Sequence, residues 1–106
     1  MGATGSGYLE ARIVEYVARL AAGLEDPDAF SPRILSRLYR EAVVNVALRV
    51  AEPRDRVLYC SLCGRGPYTR RGLYLHLKRV HPHEILELVE SEVRRISAYA
   101  KRRGRA

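Results

Sequence analysis

The chain has 106 residues, 47% of them apolar, so it is long enough for one small domain with a hydrophobic core. No apolar run approaches the length of a bilayer span, and the first residues lack the features of a secretory signal. With only two cysteines, we expect an intracellular protein without disulfides and without a membrane partner. The net charge of +7 predicts an anionic partner, nucleic acid before any other.

A flexible, glycine-rich lead is predicted over residues 1–7, and an amphipathic helix follows from Tyr8 to Leu24. Its apolar residues recur at helical spacing. Gly23 and the Asp26-Pro27 pair predict its end.

A second helix is predicted to begin at Ser31-Pro32, a cap residue followed by a proline in the first helical position. It continues to about Val50, and Pro53 marks its end. Its predicted apolar stripe is Ile34, Leu35, Leu38, Ala42, Val46 and Val50. About eight residues separate the two helices, too many for a DNA-reading helix-turn-helix. Residues 8–53 are therefore predicted to form a helical hairpin that builds a core or a dimer face.

Both cysteines and two of the three histidines lie between residues 58 and 81. Two residues separate Cys60 from Cys63, twelve separate Cys63 from His76, and four separate His76 from His81. Two thiolates and two imidazoles at this spacing can complete a tetrahedral zinc site of the structural kind. The sequence therefore predicts one structural Zn²⁺ per chain within residues 54–83.

This segment resembles the CCHH zinc finger family, which binds zinc through two cysteines and two histidines. The resemblance extends to Leu58, two residues before the first cysteine, and to Leu73, three before the first histidine. The aromatic residue that the family places between the ligand pairs is displaced by one position, because Pro67 precedes Tyr68. The resemblance implies a ββα finger and a role in binding nucleic acid.

The fourth ligand is predicted to be His81, with His83 as its competitor. On an ideal helix His81 would lie roughly 140° around from His76. Pro82 disfavours helical backbone in the residue before it, so His81 can leave the helix and turn toward the metal. If the helix continued, His83 would lie ~10 Å beyond His76, too far for a shared metal.

The last part of the chain, residues 84–106, predicts a long helix from Glu84 to about Arg102 with a basic tail. The predicted fold class is thus mainly α: a helical hairpin, one ββα finger and a long C-terminal helix. The apolar stripe of this last helix requires a partner, either the first two helices or a second chain. We expect a homodimer.

The second half of the chain carries most of the basic residues, which predicts contacts with phosphate groups. The predicted nucleic-acid-binding residues are Arg65, Arg70, Arg71, Lys78, Arg79, Arg102 and Arg103. Base reading by the finger is poorly supported. The resemblance assigns it to Thr69, Gly72 and Leu75, and glycine has no side chain while leucine has no hydrogen-bonding group.

Three tyrosines, Tyr59, Tyr68 and Tyr74, lie among these basic residues. They can either stack on unpaired bases or pack within the finger.

We therefore expect a zinc-dependent nucleic-acid-binding protein that binds DNA rather than RNA, and the family resemblance suggests a transcription regulator. The competing hypothesis is a zinc-stabilised module for protein–protein interaction, in which the metal only folds the finger. An enzyme with a small-molecule substrate is not expected, because four protein ligands leave zinc no open position.

Overall fold

A computed structural model describes the backbone of residues 3–105 and the side chains of residues 7–103. Over these residues the chain is mainly helical, as predicted, with four α-helices and one two-stranded antiparallel sheet. The elements are α1 (Ala3–Ala21), α2 (Arg37–Val50), β1 (Ala51–Arg54), β2 (Val57–Cys60), α3 (Arg70–Val80) and α4 (Pro82–Arg105). None of the helices in this part of the chain is both long enough and apolar enough to span a bilayer.

Helix α1 is shifted toward the N-terminus relative to its predicted bounds. The described part of the predicted flexible lead is helical from Ala3, while residues 1 and 2 lie outside the described residues. The helix ends early because Gly23 has a φ of 76°, a left-handed conformation that glycine adopts without steric cost. The N–H groups of Gly23 and Leu24 then donate to Leu20 and Arg19, which forms a Schellman cap. Leu24 consequently lies outside the helix.

Helix α2 begins at Arg37, so the predicted start at Ser31-Pro32 is wrong. Ser36 is the N-cap, and its hydroxyl accepts a hydrogen bond of 3.2 Å from the N–H of Tyr39. Both serines carry the cap signal, but the residues after Ser31 form a turn in which the N–H of Leu35 donates to Pro32 at 3.3 Å. Arg40 of α2 holds this turn by donating to the carbonyls of Pro32 and Leu35. Ile34, which was predicted to lie on the apolar stripe, is instead exposed.

The sheet follows α2 directly and pairs β1 with β2, with Arg54 opposite Val57. The two turn residues, Asp55 and Arg56, have φ values of 48° and 74°. Positive φ at both positions is typical of the type I′ turn, which matches the twist of a two-residue hairpin. Pro53 lies within β1, which tolerates a proline because an edge strand does not need every N–H.

One hydrophobic core connects all four helices and the metal-ligand segment. Its fully buried residues include Val17 of α1, Val43 of α2, Leu73 and Leu77 of α3, and Ile85 of α4. Helix α4 begins at Pro82, two residues before its predicted start, and folds back over α2 of the same chain. Val89 of its apolar stripe is thus fully buried within the chain, and Leu86, Val93 and Ile96 are half-buried. The homodimer stays a prediction.

Helix α4 is also joined to α2 through a buried carboxylate. Glu92 is 5% exposed and accepts hydrogen bonds from Arg95 at 2.6 Å and from Asn45 at 2.9 Å. The hydrogen bonds from Arg95 outweigh burial and, with Asn45 and Arg49, lower the pKa of Glu92 to about 2. The carboxylate is therefore ionised where it joins the two helices.

We predict that Glu92→Gln lowers the free energy of unfolding by roughly 2–3 kcal/mol at neutral pH, because the buried amide cannot replace the charge-assisted hydrogen bonds that the carboxylate accepts from Arg95 and Asn45. The ordinary carboxyl pKa of 4.5 is lowered on folding, so the contribution of Glu92 is complete above about pH 5. This contribution to the free energy of unfolding is lost as the pH falls toward 2. Denaturant unfolding of the metal-loaded protein at neutral pH measures this, with the exposed Glu87→Gln as control. Equal losses of stability in Glu92→Gln and Glu87→Gln would contradict the prediction.

Candidate metal centre

The structure brings together the four residues predicted as metal ligands. Their ligand atoms all lie within 4.8 Å of one another. A tetrahedral site with bond lengths of about 2.3 Å to sulfur and 2.0 Å to nitrogen requires separations of roughly 3.3–3.8 Å. Cys63 Sγ and His76 Nε2 already lie 3.4 Å apart. Cys60, Cys63, His76 and His81 can therefore hold one metal ion.

The two cysteines lie on a tight turn that continues β2. The N–H of Gly64 donates to the carbonyl of Cys60 at 2.7 Å, and the N–H of Cys60 donates to Arg65 at 2.9 Å. Gly64 supplies the left-handed conformation, with a φ of 76°. Cys60 is buried and Cys63 is exposed, so the site lies at the edge of the core.

The finger hairpin differs from the expected ββα arrangement. Its second strand is reduced to one antiparallel bridge, in which Leu58 and Tyr68 exchange backbone hydrogen bonds of 3.1 and 2.7 Å. Strand β2 therefore pairs with β1 on one side and with Tyr68 on the other. Gly66 permits this close return, because a Cβ there would lie 2.6 Å from the ring of Tyr59.

Tyr68 also supports the first histidine ligand. Its ring stacks on His76 with centroids 4.8 Å apart, and its hydroxyl lies 3.1 Å from His76 Nδ1. With Nε2 as the metal ligand, Nδ1 carries the proton, and this N–H donates a hydrogen bond to the tyrosine hydroxyl. The aromatic residue displaced by one position in the sequence is thus part of the site.

His81 caps the C-terminus of α3, with φ −120° and ψ 29°, and so leaves the helix as Pro82 predicted. Its Nδ1 is hydrogen-bonded to the carboxylate of Glu84. Its Nε2 is buried and has no hydrogen-bond partner in the protein. A buried nitrogen normally requires a partner, and here the other three ligand atoms surround the place where a metal would supply it. His83 is exposed and lies outside the cluster, which confirms the preference for His81.

The surroundings of the two thiols differ. The backbone N–H of Arg65, followed by His81, lowers the pKa of Cys63, whereas burial raises the pKa of Cys60. Burial, with the charges of His81 and Arg65, lowers the pKa of His76 and favours the neutral imidazole that a metal requires. Cys63 therefore loses its proton more easily than Cys60, and His76 more easily than His81.

The predicted nucleic-acid-binding residues do not form one group. Arg65 lies in the turn that holds the cysteines, and Arg70, Arg71 and Arg79 lie on α3, which carries His76. All four are exposed, and none has an ion-pair partner among the described residues. Arg102 and Arg103 lie near the far end of α4. Their Cα atoms are ~30 Å from His81, because about 20 helical residues intervene.

Lys78 has a structural partner instead. Its Nζ lies 2.7 Å from the carboxylate of Glu15 in α1, and it also donates to the hydroxyl of Tyr74 at 3.3 Å. Tyr74 donates to Glu15 in turn, at 2.8 Å. These three side chains join α3 to α1, which favours packing for Tyr74, while the predicted phosphate contact of Lys78 stays a prediction.

Two supporting residues, Glu84 and Glu15, were missed from the sequence. Glu84 follows His81 by three positions, the spacing at which side chains meet across a helical turn, so this partner had a local signal. Glu15 had no local sequence signal, because it lies 59 residues from its partner Tyr74.

No protein-family model matches the chain, and comparisons with curated proteins and with solved structures give no match. The likeness to a zinc finger therefore depends on ligand spacing and on the geometry described above.

We predict that His81→Ala abolishes binding of one metal per chain, whereas His83→Ala leaves the stoichiometry unchanged. Elemental analysis after purification gives the stoichiometry. The absorption of the Co²⁺-loaded protein reports whether the remaining ligands still form a tetrahedral site. Unchanged metal content in His81→Ala would contradict the ligand assignment.

Glu84→Gln tests the support of His81. The substitution keeps the shape of the side chain and removes the negative charge that orients the imidazole of His81. Loss of such a partner typically lowers metal affinity about 10–100-fold. Competition with a chromophoric chelator measures the affinity, with Glu87→Gln as the control on the same helix. Equal affinities for the two variants would contradict a supporting role for Glu84.

Proposed function

We propose that the chain binds one structural Zn²⁺ through Cys60, Cys63, His76 and His81, and that it is a nucleic-acid-binding protein. Two sulfur and two nitrogen donors in a tetrahedral arrangement favour zinc over the harder cations. Four protein ligands leave no open coordination position, so the proposed role of zinc is to hold the fold. Binding, not catalysis, is the proposed activity.

The observation that carries the proposal is the set of unpaired arginines around the metal centre. Arg65, Arg70, Arg71 and Arg79 are exposed, and no acidic side chain of the described residues pairs with them. Guanidinium groups bind phosphate oxygens well, often through two hydrogen bonds. Such contacts position a nucleic acid without reading its sequence.

Two residues at the positions that could read bases from α3 are already engaged within the protein. The hydroxyl of Thr69 accepts the N–H of Gly72 at 3.0 Å and is therefore occupied as a helix cap. Leu75 is half-buried. We therefore propose binding with little sequence preference. The preference for DNA over RNA and the role in transcription regulation come from the family resemblance alone.

A second candidate, a zinc-stabilised module for protein–protein interaction, is favoured by a different observation. Helix α3 packs against α1, and its Leu73 and Leu77 are fully buried. The finger is thus part of the core. Elsewhere, Leu48, Val80 and Tyr99 are large apolar side chains exposed by half or more. These are candidate contacts for another protein or for the expected homodimer.

Two double variants separate the candidates. We predict that Arg71→Ala with Arg79→Ala weakens duplex DNA binding about tenfold and reduces the slope of log affinity against log salt by up to about two. Arg33→Ala with Arg37→Ala removes the same charge from the α2 end of the molecule and should have a much smaller effect. Fluorescence anisotropy across a salt series measures both.

Negligible binding of the unchanged protein to DNA and RNA at low salt would reject the nucleic-acid proposal and favour the protein-interaction module. Equal weakening by the two double variants would show that net charge, rather than the surface around the metal centre, determines binding.

A further inference from the structure

A groove lies where the end of α1, the β1–β2 hairpin and the start of α3 meet. Its volume is about 280 Å³, and most of its lining is apolar, including Leu20, Leu58 and Tyr68. Pockets for whole small molecules usually measure about 300–1,000 Å³. This groove therefore fits one planar group better than a complete cofactor.

Two arginines line the groove from opposite elements. Arg56 comes from the tip of the hairpin and Arg70 from the first turn of α3. Both are exposed, neither has an ion-pair partner among the described residues, and none of the residues that line the groove is acidic. The groove thus combines an apolar surface with two cations available to an anion.

The position of Arg70 depends on the glycine that ends α1. A Cβ on Gly23 would lie 3.7 Å from Arg70 Nε, so the arginine side chain extends across this glycine toward the groove.

Arg56 has an unfavourable backbone conformation. Its φ of 74° is one that glycine or asparagine adopts more readily than arginine, especially in a two-residue hairpin turn. Residues in such conformations cluster at functional sites. A guanidinium group that binds a ligand would explain why an arginine, rather than a glycine, occupies this position.

From these observations we infer that the groove binds one unpaired nucleotide of a single-stranded nucleic acid, with its base against the apolar lining and its phosphate on Arg56 and Arg70. This inference rests on the proposed function and specifies its ligand. Arginine pairs well with phosphate, and an apolar surface beside an aromatic ring suits an unstacked base. A duplex could fill the groove only by flipping a base out of its stack, which costs a few kcal/mol. The protein consequently prefers single strands.

The test uses the intact, zinc-loaded chain with fluorescein-labelled oligo(dT) and a matched duplex. Arg56→Gly removes the guanidinium group but relieves the backbone, so its melting temperature should be equal to or higher than that of the unchanged protein. Arg33→Gly makes the same substitution at an exposed loop arginine and serves as the control. Ala21→Phe fills the groove without changing the charge.

We expect Arg56→Gly to weaken single-strand binding about tenfold and duplex binding much less, because the charged contact is made only in the groove. Ala21→Phe should weaken single-strand binding by a similar factor. Arg33→Gly should change neither by more than about twofold.

The outcomes separate this inference from the proposed function. If the unchanged protein binds neither oligonucleotide at low salt, the proposed function fails, and the inference fails with it. If the protein binds both equally, or if a folded Ala21→Phe binds oligo(dT) as tightly as the unchanged chain, only the groove is rejected. Should Ala21→Phe fail to fold, Arg70→Ala leaves the hairpin unaltered and replaces it, and either unchanged oligo(dT) binding or an equal loss for oligo(dT) and the duplex would then reject the groove.

Discussion

The chain passes from α3 to α4 through a single residue, His81, and that residue must also reach the metal centre. Its carbonyl accepts the N–H of Ile85, and its own N–H donates to Leu77, so it belongs to the hydrogen bonding of both helices. Pro82 keeps the residue before it out of helical backbone. The direction in which α4 leaves the finger is therefore determined at the same residue that completes the ligand set.

This arrangement places the metal centre in the same core as the helices. Cys60, Leu73 and Leu77 are fully buried in one cluster with Val17 of α1 and Val43 of α2. In isolated finger peptides, structural zinc contributes about 10–16 kcal/mol of folding free energy. The proposed Zn²⁺ would therefore stabilise the packing of α1 and α2 as well as the metal-ligand segment. The metal-ligand segment is therefore packed into the helical core and is not a separate module.

The features that could be predicted from sequence are those with local signals. Ligand spacing identified the metal cluster, and Pro82 distinguished His81 from His83 because its steric effect is confined to the residue before it. Local signals also led to the main error. Ser31 and Ser36 are both acceptable caps, and the turn between them, which Arg40 of α2 contacts at the carbonyls of Pro32 and Leu35, has no distinct local signal. The ion pair of Lys78 with Glu15 and the hydrogen bond of Glu92 with Asn45 could not be predicted, because each joins helices that are distant in sequence.

The charge of the sequence could not show which basic residues are available to bind a partner. Thirteen of the nineteen Lys and Arg residues lie in residues 54–106, and they gave one prediction for that whole half of the chain. In the fold, Lys78 pairs with Glu15, and the tail arginines lie at the far end of α4. The arginines near the metal centre remain exposed, and Arg56 and Arg70 meet at one groove. Which cations can contact a phosphate thus depends on tertiary partners.

The shared core predicts that the metal centre and the helices unfold as one unit. Native-state hydrogen exchange at the amides of Val17 and Val43, before and after removal of the metal with a chelator, measures whether they do. We expect both amides to lose protection together with residues 58–81. Full protection of Val17 and Val43 in the metal-free protein, with loss confined to residues 58–81, would contradict it.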